Sequence, residues 1–463
     1  MKGKLLGILW ILMFLMATVV SGTGVELTSS SPAEIHVYPG QSIQEAINAA
    51  APGDTIIIHE GTYNEKLVVD KSLTIEGVDK EQVILNGTGL SEKGISVEAD
   101  YVTIRNLTVC CFVEGNWPWG VELVDASHCI VEDLIVYNCT SGGINLYRGC
   151  HNNTVRNNLI KYCDGNGISI YGSDEGCWHN LIENNEIIDC AFAETGGGTY
   201  RVPAICIFSN ASYNTVTGNI IRQEAYVGRG RGITLWGSTY GGSDMAETGN
   251  IIENNFVENF DIGIYIIGVN LYTGTKNLVT YTTVRYNNLT KNNVGFKQIG
   301  FEGDYSPITL RYNNIYDNHD YGALVDATYG TAILDARFNW WGDASGPSGM
   351  GPGAGDAISE NVTYSPWLGY PYGTIPMTYH VDPTGKIQDA INAASPGDTI
   401  KVHEGTYTEQ LIINKSLTLI GDPKPKIIAP DIRTTFTIPE SGDVWDPIIF
   451  AYGSLTGTET ISV

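Results

Sequence analysis

One phrase of about seven residues recurs down this chain and limits what it can fold into. It reads VTIRNLT at 102–108, TVRNNLI at 154–160, LIENNEI at 181–187, TVTGNII at 215–221, IIENNFV at 251–257, TVRYNNL at 283–289 and TLRYNNI at 309–315. Asn, or Asp133 in one copy, falls at 106, 133, 158, 185, 219, 255, 288, 314 and 339, in steps of 25 to 36 residues. A second phrase interleaves with it, as Gly120-Val121, Gly143-Ile144, Gly167-Ile168, Ala204-Ile205, Gly232-Ile233, Gly263-Ile264, Gly295-Phe296 and Gly322-Ala323. Repeats of this period mean stacked units, each burying its core only against its neighbours.

Each unit holds two or three short β-rich runs punctuated by Gly, Asn and Asp, with no amphipathic helical stretch. That excludes helical and leucine-rich solenoids, and the units are too short for a four-stranded propeller blade. What remains is an all-β, parallel coil that winds once per unit. Residues one coil apart then stack at about 4.8 Å, so the alignment predicts columns. After each Gly the first and third residues are apolar, as in Ile144/Leu146 and Ile168/Ile170, and are expected inside. The residue between them (Glu122, Asn145, Ser169, Thr234, Lys297) is expected in solvent. The Asn column fits a bend, because Asn tolerates the left-handed conformation and its amide can bond to a neighbouring coil. The column Val124, Tyr147, Tyr171, Phe208, Trp236, Ile267 and Ile299 reads as packing.

An open stack needs a lid. Residues 41–51, QSIQEAINAAA, predict a capping helix, with Ser42 and Glu45 as a capping box and Ile43, Ala46, Ile47 and Ala50 on one face. Residues 43–77 return at 387–421, offset by 344: IQEAINAAAPGDTIIIHEGTY becomes IQDAINAASPGDTIKVHEGTY. A lid can begin a stack but not interrupt one. The expected organisation is therefore a first stack over 33–375, closed by a cap at about 339–370, then the beginning of a duplicated module over 376–463. His59-Glu60 and His403-Glu404 recur in both lids and read as a structural turn.

The phrases SIQEAINAAAPGDTIIIHEGTYNEKLVVDKSLTIEG (42–77) and NWWGDASGPSG…ENVTYSPWL (339–368) carry a family resemblance. The chain resembles right-handed parallel β-helix proteins of the pectin-lyase-like superfamily, in particular NosD-like and secreted archaeal or bacterial surface members. The resemblance covers nearly everything after residue 33 and implies fold more sharply than activity.

Lys2 and Lys4 followed by the apolar run Leu5–Val20 read as an export signal ending near residue 22, and an uncleaved anchor is the alternative. The protein is then secreted or at the cell surface, touching a membrane only through that segment. Sequons at Asn86, Asn106, Asn138, Asn152, Asn210, Asn288, Asn361 and Asn414 permit glycosylation after export. A net charge of −25 argues against nucleic acid.

Three site readings follow. The turns before the Gly phrase carry Trp117, Trp119, Asp164, Glu194, Tyr200, Arg201, Glu224, Tyr226, Arg229 and Arg231 on successive coils. Aromatic faces suit sugar rings, and Arg and carboxylates suit hydroxyls or uronates. This predicts a polysaccharide or cell-envelope glycan as partner. A lyase would cast Arg229 or Arg231 as base, with Asp164 and Glu224 holding Ca²⁺; a hydrolase would need two facing carboxylates. The signatures of active relatives, the Gly-His-Gly of polygalacturonases and the Asp-Pro-His-Asp of alginate epimerases, do not occur. The leading function is therefore a non-catalytic glycan-binding or surface-layer β-helix, with a polysaccharide lyase or hydrolase as alternative.

All nine cysteines lie between 110 and 206. Cys111, Cys139, Cys163 and Cys190 are expected in one ladder, either bridged or as free apolar thiols. His128-Cys129, Cys150-His151 and Cys177-Trp178-His179 occupy one turn in three consecutive coils. They predict either a Zn²⁺ or copper edge or a Cys150–Cys177 bridge. The NosD-like resemblance adds a copper association, so an exported metal-handling protein is the third reading.

Overall fold

The computed structural model describes residues 31–191, 194–195, 200–225, 227–237, 244–271, 273–432, 434–437, 444–445 and 447–451. The export signal predicted over 1–22 lies outside them. The chain is a right-handed parallel β-helix, with sheets of 13, 10 and 12 strands here named A, B and C. Each winding contributes one strand to each in turn. Thr154–Arg156 lies in A, Leu159–Lys161 in B and Asn166–Tyr171 in C, before Leu181–Glu183 returns to A. Register is kept from coil to coil: Val121, Ile144, Ile168, Ile205, Ile233, Ile264 and Phe296 stack in one inner column. The core is this interior of Ile, Val and Leu, most of it fully buried.

The bend at the A–B corner divides between two residues what the sequence assigned to one. The left-handed residue is Asn106, Asp133, Asn157, Asn184, Gly218, Asn254, Tyr286, Tyr312 or Phe338. The residue after it points inward. There Asn158, Asn185, Asn219, Asn255, Asn287, Asn313 and Asn339 form an unbroken amide ladder, each Nδ2 donating to the next Oδ1 at 2.9–3.1 Å. Asn288 and Asn314 therefore begin B strands instead of occupying the ladder. Asn106 and Asp133 hold the bend, and Leu107 and Leu134 fill the ladder position. A second ladder, Asn153–Asn180–Asn214–Asn250, lines the C–A corner. These amides satisfy the corner backbone groups, which the sheets cannot reach.

Helix α1, Ile43–Ala49, closes the first stack. The Ser42 hydroxyl accepts from the Glu45 amide at 3.2 Å, but Glu65, not Glu45, completes the cap. Its carboxylate accepts from the Ile43 and Gln44 amides and from the Ser42 hydroxyl. Helix α2, Ile387–Ala393, repeats this with Glu409. It leads a second set of strands, Thr378–Val381, Thr399–Val402 and Thr418–Gly421, which pair in parallel around a separate core. The two stacks touch through Trp367–Leu368, which adds antiparallel to Thr378–Val381.

Candidate functional site: the outer face of sheet C

The residues between the inner positions of sheet C do not lie in solvent. Glu122, Asn145, Ser169, Cys206, Thr234 and Tyr265 are each at most 8 % exposed. The flanking outward columns cover them. On one side run Trp119, Pro203, Ile262 and Val294; on the other run Val124, Tyr147, Tyr171, Phe208, Trp236, Ile267 and Ile299.

The second of these columns corrects the reading as plain packing. It faces outward, because strand residues alternate sides. Its first five members are half-buried. Tyr147, Tyr171 and Phe208 form a ring ladder with centroids 5.3 and 4.2 Å apart. Only further on does the face close into an apolar cluster of Ile262, Tyr265, Ile267, Val269, Val294 and Ile299. Burial raises the phenol pKa of Tyr171 and pushes that of Tyr265 up to about 12, so both rings stay neutral at physiological pH.

The cations on the face are engaged. Lys93 pairs with Glu122, and Lys297 with Asp326 at 2.9 Å. The Arg231 guanidinium lies 4.7 Å from the centroid of the Tyr265 ring. The face is thus an aromatic track with buried hydroxyl, amide and cationic groups beside it.

Comparison with known proteins fits this architecture. Residues 47–265, just under half of the chain, match the family model described as periplasmic copper-binding protein (NosD). Over that stretch the chain is similar to NosD, and its fold is a parallel β-helix. A cell surface glycoprotein of Methanothermus fervidus is 28% identical over 229 residues, 38% of this chain and 37% of that protein. The chain thus spans little more than a third of that relative's length. Among solved structures, the alginate lyase from Paenibacillus sp. str. FPU-7 is 18% identical, covering 72% of this chain and 99% of that one at a TM-score of 0.39. The A-module of an Azotobacter vinelandii mannuronan C-5 epimerase is 12% identical, covering 84% and 94%, also at 0.39.

The residues singled out from the sequence distribute unevenly over the face. Trp119 lies on it, buried against Gly142, where a Cβ would stand 2.2 Å from the ring. Arg231 lies on it too. Trp117, Asp164 and Arg229 sit in the turns leading into sheet C, along one rim. Trp117 is 72% exposed, and partial burial raises the pKa of Asp164. Glu224 does not join them: it pairs at 2.7 Å with Arg222, which also holds Glu186 of sheet B. Tyr226 lies outside the described residues. For Glu194, Tyr200 and Arg201 only the backbone is described, a short antiparallel pairing.

The proposed metal edge comes apart for a simple reason. Cys129, Cys150 and Cys177 point into the core and are fully buried. His128 and His179 take left-handed bends and are exposed, and His151, next to Cys150, is half-buried. His128 stacks on Tyr101, His151 on Trp178 and His179 on Tyr213. Among the described residues no group of three His, Cys, Asp or Glu side chains converges as metal ligands. All nine thiols are unbridged. Cys139, Cys163 and Cys190 share the B–C corner column as expected, but Cys111 takes the left-handed bend and Phe112 fills its place.

The sequence reading missed Tyr147, Tyr171 and Phe208 as surface residues. Their positions, each two residues after Asn145, Ser169 or Cys206, carried the signal: residues two apart share a face.

Proposed function

We propose that this protein is an exported, cell-surface β-helix that binds an extended glycan along the outer face of sheet C without cleaving it. The carrying observation is the half-exposed Tyr147–Tyr171–Phe208 ladder, which runs along the coil axis beside buried polar groups. Aromatic rings offer sugars apolar contact at low entropic cost, and polar groups fix orientation. Export is supported by the leading apolar run and by the surface glycoprotein relative. The non-catalytic reading is supported by the commitment of the cations on the face, since an eliminating base needs a free one. The inward thiols give no support to copper handling by the Cys/His edge.

The test is binding to a panel of neutral and acidic polysaccharides, read by affinity electrophoresis. Tyr171→Ala and Phe208→Ala are expected to weaken binding about tenfold each, worth about 1.4 kcal/mol, with little change in melting temperature. Unsaturated uronate appearing at 235 nm or so during the assay would replace this reading by that of a lyase, with Arg231 as the first residue to mutate. Binding unaltered in both variants would remove sheet C as the site.

A further inference from the structure

A different constellation sits at the start of the same face and has chemistry of its own. Glu122 is 4 % exposed and stacks between Ser96 of the preceding coil and Asn145 of the following one. Its carboxylate touches two partners. One oxygen pairs with the Lys93 ammonium; the other accepts from Asn145 Nδ2 at 2.9 Å. Lys93 belongs to the coil before Glu122 and Asn145 to the coil after it. Asn145 is itself 4 % exposed, and its Oδ1 has no hydrogen-bond partner among the described residues. Trp119 and Gly142 wall off one side.

A buried carboxylate holding an amine and a primary amide together is the arrangement required to join them. We propose that Lys93 and Asn145 form an intramolecular isopeptide bond, with Glu122 as the proton shuttle. Glu122 takes a proton from Lys93 and frees the amine as a nucleophile. Nζ attacks Cγ of Asn145, and the Cγ–Nδ2 bond breaks. Glu122 returns the proton to the departing nitrogen, which it already contacts, and takes the second Nζ proton, so that the nitrogen leaves as ammonia and carries that remaining proton away as ammonium. One C–N bond forms, one C–N bond breaks, and no oxidant or external co-reactant is consumed. Proximity supplies most of the rate, because the reacting groups are held across a single shared partner. Burial favours the step further by lowering the pKa of Lys93, despite the opposing charges of Glu98 and Glu92. The product clasps three successive coils near the first lid. There a covalent tie resists unwinding of the stack from its end, as suits a protein standing outside the cell.

Intact-mass analysis and peptide mapping of the full chain test this. The expected result is a mass about 17 Da below that of the sequence, the loss of one ammonia. A digest should then contain a branched peptide joining Lys93 to Asn145. Lys93→Arg retains the ion pair to Glu122 and cannot form the amide; Glu122→Gln retains the hydrogen-bonding shape and cannot shuttle. Both are expected to show the unaltered mass with the fold intact by circular dichroism. Separate, unlinked Lys93 and Asn145 peptides from folded wild-type protein overturn the proposal. So does an ammonia loss confined to a linear Asn145 peptide, which marks a succinimide, or a link that persists in Glu122→Gln.

Discussion

Asn219 shows what the repeat is for at the scale of one residue. Its Oδ1 accepts from both the amide and Nδ2 of Asn185, while its own Nδ2 donates to Ile182 O and Asn255 Oδ1. Leu fills the same position in two earlier coils, yet there the ladder has not begun. Asn219→Leu strands donors and acceptors on three coils in a fully buried corner. It should cost about 3–5 kcal/mol, read as a fall in denaturant midpoint with unchanged slope. Asp356 ends a third ladder, Asn292–Asn318–Asp356, at the B–C corner. It accepts from the Asn318 amide and Nδ2, at 3.1 and 2.7 Å, and burial raises its pKa to about 6. The folded state thus holds its proton more tightly than the unfolded chain, and stability falls as pH rises from about 4 to 6. Asp356→Asn should stabilise the protein by about 1–3 kcal/mol at pH 7 and by nearly nothing at pH 4. Equal melting shifts at both pH values would contradict this. The Asn period was legible because an amide is both donor and acceptor and therefore repeats. Which of two adjacent Asn turns inward was not, since Asn157 and Asn158 are chemically identical and only coil register separates them.

At the scale of elements, the lids were legible and their anchors were not. The spacing of Ile43, Ile47 and Ala50 predicts the helix, although it spans Ile43–Ala49 and not the whole of 41–51. The acid that caps it, Glu65, lies about one coil onward, where local pattern does not look. Its recurrence as Glu409 in the duplicated phrase was the available signal. Glu65→Ala removes acceptors from three donors at the lid and should lower stability by about 2–3 kcal/mol. Glu409→Ala meets two amides and no serine hydroxyl, because Lys386 stands where Ser42 does, and should cost less. Hydrogen exchange of the two helices would rank them. The sheets divide in the same way. Alternation in sheet C was readable, but solvent on its outer face was inferred from polarity alone. Glu122, Asn145 and Thr234 are polar and buried because large neighbours, Tyr147 and Trp236 among them, stand two residues away on the same side.

For the molecule as a whole, duplication placed the same histidine pair in two different settings. His36 Nδ1 and His59 Nε2 are 3.0 Å apart at the open start of the first stack; His380 and His403 are equally close at the join between stacks. There the closing segment of the first stack lies against the pair, with Trp367 ring centroids 5.4 and 5.2 Å from the two imidazoles. His380 Nε2 is buried without a hydrogen-bond partner among the described residues, and burial, reinforced by His403 and Lys401, lowers its pKa to about 4. Folded His380 is thus neutral where the unfolded chain, titrating near 6.5, takes a proton. The junction keeps its full stability above about pH 6.5 and loses it as pH falls towards 4, by about 2–3 kcal/mol. Asp356, in the first stack, has the opposite dependence over an overlapping window. Acid should therefore loosen the second stack while sparing the first, and the two unfolding transitions should separate between pH 7.5 and 5. His380→Phe removes the titrating group but keeps a ring against Trp367, so its second transition should hardly move with pH. Were wild-type and variant to shift together, the acid sensitivity would belong to other groups at the join.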